Sequence, residues 1–352
     1  MRILFNIGHP AQVHFFKNTI WELQKRGHVC KITTSDKDVA IQLLKAYGFE
    51  YEVIGKSPST LIQKAVELIK KDWKILRIAK KFKPDVLVGG VGNVYVAHVG
   101  KIIGKPSIVF DDTEHSKFEH FLMDTFITVI CTPVCYTKNL GKKQVRYNGF
   151  KELAYLHPKY FKPNPDTLKE AGITPGEKFV IIRFVSWDAA HDIGNNKEKE
   201  VTFNNLISEI EKKVKIIITS EAPIECKYKH YMMKIPPEKM HDLLYYATIY
   251  IGEGATMASE AAILGTPAIY VNNLKPGTIS EQVKYGLLYY HLRNDKNIQK
   301  IIEEISSLLN VHNLKSVWKQ KQAKMLNDKI DVTEYVVQLI ENSNIKKSSV
   351  SV

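Results

Sequence analysis

Two stretches of this chain carry residue types at spacings that suit chemistry. The first is Ile251-Gly-Glu-Gly-Ala-Thr-Met-Ala-Ser-Glu260, followed by Ala-Ala-Ile-Leu-Gly265-Thr-Pro-Ala-Ile-Tyr-Val271. A β-type run, Ala247 to Ile251, leads into it. The glycines allow a tight turn and close approach of the backbone to a ligand. A helix is predicted to start near Ala255 and stop at Gly265, with Pro267 just beyond. Helix N-termini present free N–H groups and positive partial charge, so Gly254, Ala255, Thr256 and Met257 could hold phosphate oxygens. Glu260 sits roughly one and a half turns further on, where its carboxylate could reach a sugar or ribose hydroxyl. That layout suggests a nucleotide-sugar site. An ordinary βαβ turn with a surface glutamate would produce the same spacing.

The second stretch is Asp111-Asp112-Thr-Glu114-His115, then Ser-Lys-Phe-Glu119-His120, at the end of the predicted strand Lys105 to Phe110. Open α/β sheets place ligands at the carboxyl ends of their strands. Carboxylates and histidines gathered there could transfer protons. The alternative is helix capping by Asp112 or Thr113, with acidic residues in the first turn. A third strand end carries Arg183-Phe-Val-Ser186-Trp-Asp188-Ala-Ala-His191-Asp192. The planar fork of Arg183 could pair with a diphosphate, or form a structural salt bridge.

The elements that position these groups follow from periodicity. Residues 2–8, Val29 to Thr34 and Glu50 to Ile54 read as strands separated by helices, a β-α-β-α-β order that implies a doubly wound parallel sheet. Further strands are predicted at Pro84 to Gly92, Phe126 to Cys131, Val145 to Phe150, Phe179 onward, Lys215 to Ser220 and Met233 to Ile235. Beyond Val271 only helices are predicted. At 352 residues two domains are expected. Pro158, Pro163, Pro165 and Pro175 mark a linker. The expected division is one doubly wound domain over 1–160, a second over 161–330, and a C-terminal helix with a flexible tail over 331–352.

Hydrophobic residues make up 44% and charged residues 25%, the balance of a soluble globular protein. No apolar run is long enough to span a membrane and no signal peptide is read, so a cytoplasmic location is expected. Cys30, Cys131, Cys135 and Cys226 lack metal or redox spacing and read as core thiols. No metal and no cofactor are expected, the nucleotide-sugar being a substrate. The net charge of +13 could serve nucleic acid, an anionic membrane or anionic small molecules. No nucleic-acid-reading motif is present, and nucleic acid is not an expected partner. The lysine-rich 60–83 helix could contact the inner face of a membrane peripherally, or be a solvated face on the sheet.

Gly8-His9-Pro10, with Lys25-Arg26-Gly27-His28-Val29, resembles the amino-terminal signature of the lipid-linked N-acetylglucosaminyl transferase of peptidoglycan synthesis. Gly254 to Glu260, with Gly265-Thr-Pro267, resembles that enzyme's donor motif and the donor site of UDP-N-acetylglucosamine 2-epimerases. Over nearly its full length the chain resembles the domain of unknown function 354 family. The residues behind this are His9-Pro-Ala-Gln-Val-His14-Phe-Phe16, Asp111 to His115, Arg183 to Asp192 and Gly254 to Pro267. That resemblance implies two Rossmann-like domains facing a cleft, the glycosyltransferase fold B, with 1–160 on the acceptor side and 161–330 binding the nucleotide-sugar. It implies a glycosyltransferase-like enzyme using a nucleotide-diphosphate sugar, with UDP as the expected nucleotide, in surface polysaccharide or glycoconjugate synthesis. Arg183, Ser186, Gly254 to Met257 and Glu260 would bind the donor. His9, Asp112 or Glu114 would act as base on a glycan or lipid-linked acceptor. Epimerisation or hydrolysis, with Asp112, Glu114 and His191 handling protons or water, is the alternative. The chain departs from the epimerase pattern at Gly90-Val-Gly92, where those enzymes carry an aspartate. A nucleotide-sugar-binding protein without catalysis is the third reading.

Overall fold

The computed structural model describes residues 1–56, 61–184, 206–220, 226–233, 235–293 and 297–343. The chain packs as two compact units. One comprises Met1–Tyr160 together with the chain from Lys329 onward; the other is Phe161–Asp328.

The first unit is built on seven parallel strands. They are β1 (Arg2–Ile7), β2 (Val29–Asp36), β3 (Tyr51–Lys56), β4 (Val86–Gly90), β5 (Ser107–Phe110), β6 (Val129–Pro133) and β7 (Gln144–Tyr147). Their order is β3-β2-β1-β4-β5-β6-β7. β1 and β4 are fully or almost fully buried past Arg2, because parallel strands are covered on both faces. Side chains alternate across the sheet. Leu4, Leu87 and Val109 share a core with α3 (Leu61–Phe82), α4 (Tyr95–Ile103) and the end of α5 (Lys117–Met123). On the opposite face Phe5 meets Phe16 of α1 (Pro10–Lys25), ring centroids 5.4 Å apart. α1 also packs on α2 (Asp38–Ala46), the Leu153–Leu156 turn of helix and the Val332–Asn342 helix.

The second unit carries five parallel strands, β8 (Phe179–Phe184), β9 (Lys215–Ser220), β10 (Ile249–Gly252), β11 (Ala268–Val271) and β12 (Leu288–His291). Their order is β12-β11-β10-β8-β9. The doubly wound parallel architecture expected from the sequence is therefore present twice. β12 was not expected. It has four residues, and its Tyr-Tyr-His ending is only half-buried, so its apolar pattern is weak. Near Met233 the described residues hold a single parallel bridge, Ile218 to Met232.

Both strand orders reverse direction once, and ligands of open α/β sheets sit at that point beyond the strands' carboxyl ends. In the first sheet the reversal lies between β1 and β4. The turns there are Gly8-His9 and Gly90-Val-Gly92. In the second it lies between β8 and β10, at Arg183 and at Gly252-Glu253-Gly254.

Candidate functional site

The second unit gathers most of the expected donor-site residues. Arg183 is the penultimate residue of β8 and lies in register with Gly252 of β10. The Glu253 N–H donates to the Arg183 carbonyl at 3.2 Å, holding the turn against the neighbouring strand. Gly254 then caps the Ala255–Ile263 helix in an extended conformation, φ −88° and ψ 117°, with no side-chain cap. Among the described residues the first-turn N–H groups of Ala255, Thr256 and Met257 thus have no capping side chain and can take a ligand or water, and these residues are half-buried, not sealed off. No acidic residue occupies that first turn, so the positive end of the helix is not neutralised locally.

Glu260 is not a surface residue. It is 5% exposed, and its Oε1 lies 3.0 Å from Nε2 of His241, itself buried, on the Met240–Tyr246 helix. A carboxylate only accepts, so His241 Nε2 carries the hydrogen. This contact aims and anchors the glutamate, as a buried carboxylate requires. Ser259 beside it accepts from Gln282 Nε2 at 2.7 Å. Glu253 is steered from two sides: its carbonyl accepts from Asn272 Nδ2 at 2.8 Å, and its carboxylate lies 3.4 Å from Arg293 Nε.

Two buried hydroxyls lie around Arg183. Thr219 of β9 is its register partner, and its Oγ1 has no hydrogen-bond partner among the described residues. Tyr250, two residues before Gly252 on the same face of β10, likewise has a hydroxyl with no partner among the described residues. A Cβ on residue 252 would lie 2.2 Å from that oxygen, so only glycine fits there. Burial raises the Tyr250 phenol pKa strongly; Arg183 opposes the shift, and Glu260 and Glu253 add to it. The fields of these three charges therefore converge on one buried phenol. Ser186 and His191, the other residues expected near Arg183, lie outside the described residues, as do Asp188 and Asp192.

In the first unit the expected catalytic residues each have their own partners. His9 caps α1, its Nδ1 accepting from the Ala11 N–H at 3.2 Å. A neutral ring that accepts at Nδ1 carries its proton on Nε2, so His9 presents a donor. Asp112 forms an ion pair with Lys151. Glu114 is buried, and its Oε1 accepts from the N–H and hydroxyl of Thr137 at 3.3 and 3.4 Å.

The most enclosed carboxylate here is Asp111. It accepts from the Thr113 N–H at 2.7 Å, the Tyr136 hydroxyl at 3.1 Å and His120 Nε2 at 2.7 Å. In place of the alternative, helix capping by Asp112 or Thr113, the structure has a turn around Asp111. α5 starts after Ser116 with no side-chain cap. The hydrogen bond to Asp111 raises the pKa of His120, burial opposing and Asp124 adding to the rise. Asp111 and His120 brace the loop that presents Asp112 and Glu114.

A second bracing cluster joins the two turns at the first sheet's reversal point. Gln12 Oε1 accepts from the Gly8 N–H at 2.8 Å and Asn93 Nδ2 at 2.7 Å, and Gln12 Nε2 donates to the Val91 carbonyl at 3.0 Å. Gly90 lies so close that a Cβ there would meet Gln12 Nε2 at 2.3 Å.

Solved structures similar to this chain include an epimerase and a glycosyltransferase. The UDP-N-acetylglucosamine 2-epimerase of Neisseria meningitidis, solved with UDP-N-acetylglucosamine, has a TM-score of 0.72 at 14% identity, covering 97% of this chain and 100% of that one. The glycosyltransferase VinC, solved with dTDP, has a TM-score of 0.66 at 14% identity, covering 98% and 100%. These likenesses define the fold as that of fold-B glycosyltransferases and UDP-N-acetylglucosamine 2-epimerases. The chain belongs to the family described as protein of unknown function (DUF354), whose model matches residues 1–344. An uncharacterised protein of Methanocaldococcus jannaschii is 22% identical over 280 residues, 76% of this chain and 80% of that protein.

Proposed function

We propose that this protein is an enzyme acting on a nucleotide-diphosphate sugar, and specifically a fold-B glycosyltransferase of surface polysaccharide or glycoconjugate synthesis. The observation that carries the reading is in the second unit. Arg183, the open helix start at Gly254 to Met257 and the buried, anchored Glu260 meet at the reversal point of one parallel sheet. A diphosphate would take the free N–H groups and the guanidinium, and Glu260 would accept from a ribose hydroxyl. The nucleotides bound by the two fold neighbours support this assignment, and UDP is the nucleotide proposed.

In the first unit we assign proton removal from the acceptor hydroxyl to Asp112 or Glu114, and hydrogen-bond donation to His9. A base in hydrogen-bond reach contributes ~10²–10⁴-fold. Donors aimed at the departing diphosphate supply much of the rest. Incubation with UDP- and GDP-sugars, with and without glycan acceptors, tests the reaction. Sugar transfer that needs an acceptor is expected; a new epimer or free sugar without acceptor would sink the transfer reading in favour of epimerisation or hydrolysis. Glu260→Ala is expected to weaken nucleotide binding about tenfold, one charge-assisted hydrogen bond. Unchanged affinity by calorimetry would refute the assignment of Glu260.

A further inference from the structure

α3 is apolar on two sides. Ile75, Ile78 and Ala79 face the core. On the other side Ile69 is 68% exposed and Trp73 57%, four residues apart and hence on one stripe. Neighbouring elements add Ile102 of α4 at 62% exposed and Phe118 and Phe121 of α5 at 68% and 79%. His98 ties these elements together. Its Nδ1 bonds Asp72 Oδ2 at 2.8 Å and its Nε2 donates to the Leu122 carbonyl at 2.9 Å. His98 thus links the three helices that carry these exposed apolar groups, all of which pack on the same core.

Basic residues surround them. Lys70, Lys74, Arg77, Lys101 and Lys117 are all exposed, and the Arg77 guanidinium lies 4.8 Å from the Trp73 ring centroid. Of the acids nearby, Glu67 pairs with Lys70 and Asp72 with His98; Glu119 and Asp124 lie on the α5 side. An exposed apolar stripe rimmed by charge, as Ile69 and Trp73 are by Lys70, Lys74 and Arg77, marks an interaction surface.

We propose that this face of the first unit docks on an anionic lipid surface, with Trp73, Ile69 and Phe121 entering the interface and Lys70, Lys74 and Arg77 on the headgroups. Aromatic and aliphatic tips flanked by lysine and arginine are the chemistry of interfacial binding. A second copy of this chain fits less well, since a self-complementary contact would set the same basic residues against each other. The proposal stands independently of the nucleotide-sugar reading. If both hold, docking brings the enzyme to a lipid-linked acceptor.

Co-sedimentation of the full chain with vesicles tests it. At low salt the protein is expected to pellet with phosphatidylcholine vesicles containing phosphatidylglycerol, and not with phosphatidylcholine alone. Trp73→Ser with Phe121→Ser, and separately Lys74→Glu with Arg77→Glu, should each lower the partition by roughly tenfold or more. All four positions are exposed, so both variants should melt as the wild type does; if the aromatic pair misfolds, the charge-reversal pair decides. No pelleting of the wild type, equal pelleting on neutral vesicles, or pelleting unchanged in the folded variants would overturn the proposal. So would velocity sedimentation showing a wild-type dimer that both variants dissolve, which would make the face a contact between copies.

Discussion

Asp111 and His120 illustrate how chemistry at single residues differs from its appearance in sequence. The acidic run after β5 was readable as a functional loop. Which of its carboxylates would be buried was not, because that depends on His120 and Tyr136 folding back over one of them. The pair has a measurable consequence. The folded-state pKa of His120 lies above the ordinary histidine value near ~6.5, since its imidazolium donates to Asp111. A raised folded pKa contributes stability that is fully present below the unfolded value and is lost as pH rises through the folded value. His98 beside Asp72 shifts in the same direction. Urea midpoints of the wild type should therefore fall as pH rises above about 6.5. His120→Gln should lose part of that slope, His98 still contributing in the same direction. A slope identical to the wild type would show that the Asp111 contact does not hold the proton. The same lesson applies in the second unit. Glu260 was legible from its place after a glycine-rich turn, whereas His241, nineteen residues earlier, carried no local signal as its partner.

Elements were more legible than contacts, because periodicity reports burial directly. Strands with continuous apolar runs and helices closed by basic residues and glycine emerged from spacing alone. α3 shows the limit. From the sequence its lysines read together, as a membrane contact or a solvated face. Instead Ile69 and Trp73 face outward, while Lys71 is 4% exposed and donates to Ser35 Oγ at 2.9 Å. A helix with apolar residues on two sides has no unique phase, so sequence cannot choose which stripe is buried. Gln12 is another case. It stands in the motif behind the family resemblance, yet its task appears only when the β1 and β4 turns are adjacent. Gln12→Ala removes three hydrogen bonds and strands the Gly8 N–H and one of the two Asn93 Nδ2 hydrogens, the other still donating to the Asn6 carbonyl. A loss of roughly 2 kcal/mol or more is expected, read from denaturant midpoints. Since Gly8 and Gly90 flank the reversal point, a full wild-type midpoint would show that the two turns hold without this link.

At the scale of the molecule, the chain finishes in the unit where it began. After Asp328 it returns to the first unit, where the Ile330 N–H donates to the Asn148 carbonyl at 3.0 Å. Asp331 caps the Val332–Asn342 helix through the Glu334 N–H at 3.0 Å and pairs with Lys159 at 2.7 Å. Arg26 bridges Glu334 and Glu341, and Thr333 Oγ1 donates to the Ala154 carbonyl that also accepts from Asn18. Exposed ion pairs contribute little individually, so the attachment rests mainly on Val332, Val336, Val337 and Ile340, all fully buried. Amphipathic spacing made this helix visible in the sequence, but no local feature says which unit it covers. Because it closes one face of the α1 layer, it should govern the stability of the first unit alone. Val337→Asp would bury an unpaired carboxylate, at a cost of about 3 kcal/mol or more. Limited proteolysis of that variant is expected to open cleavage sites within residues 1–160 first, while a fragment close to Phe161–Asp328 persists. Equal loss of both units would show that they fold as one cooperative block, and unchanged resistance would show that the terminal helix is dispensable to the sheet beneath it.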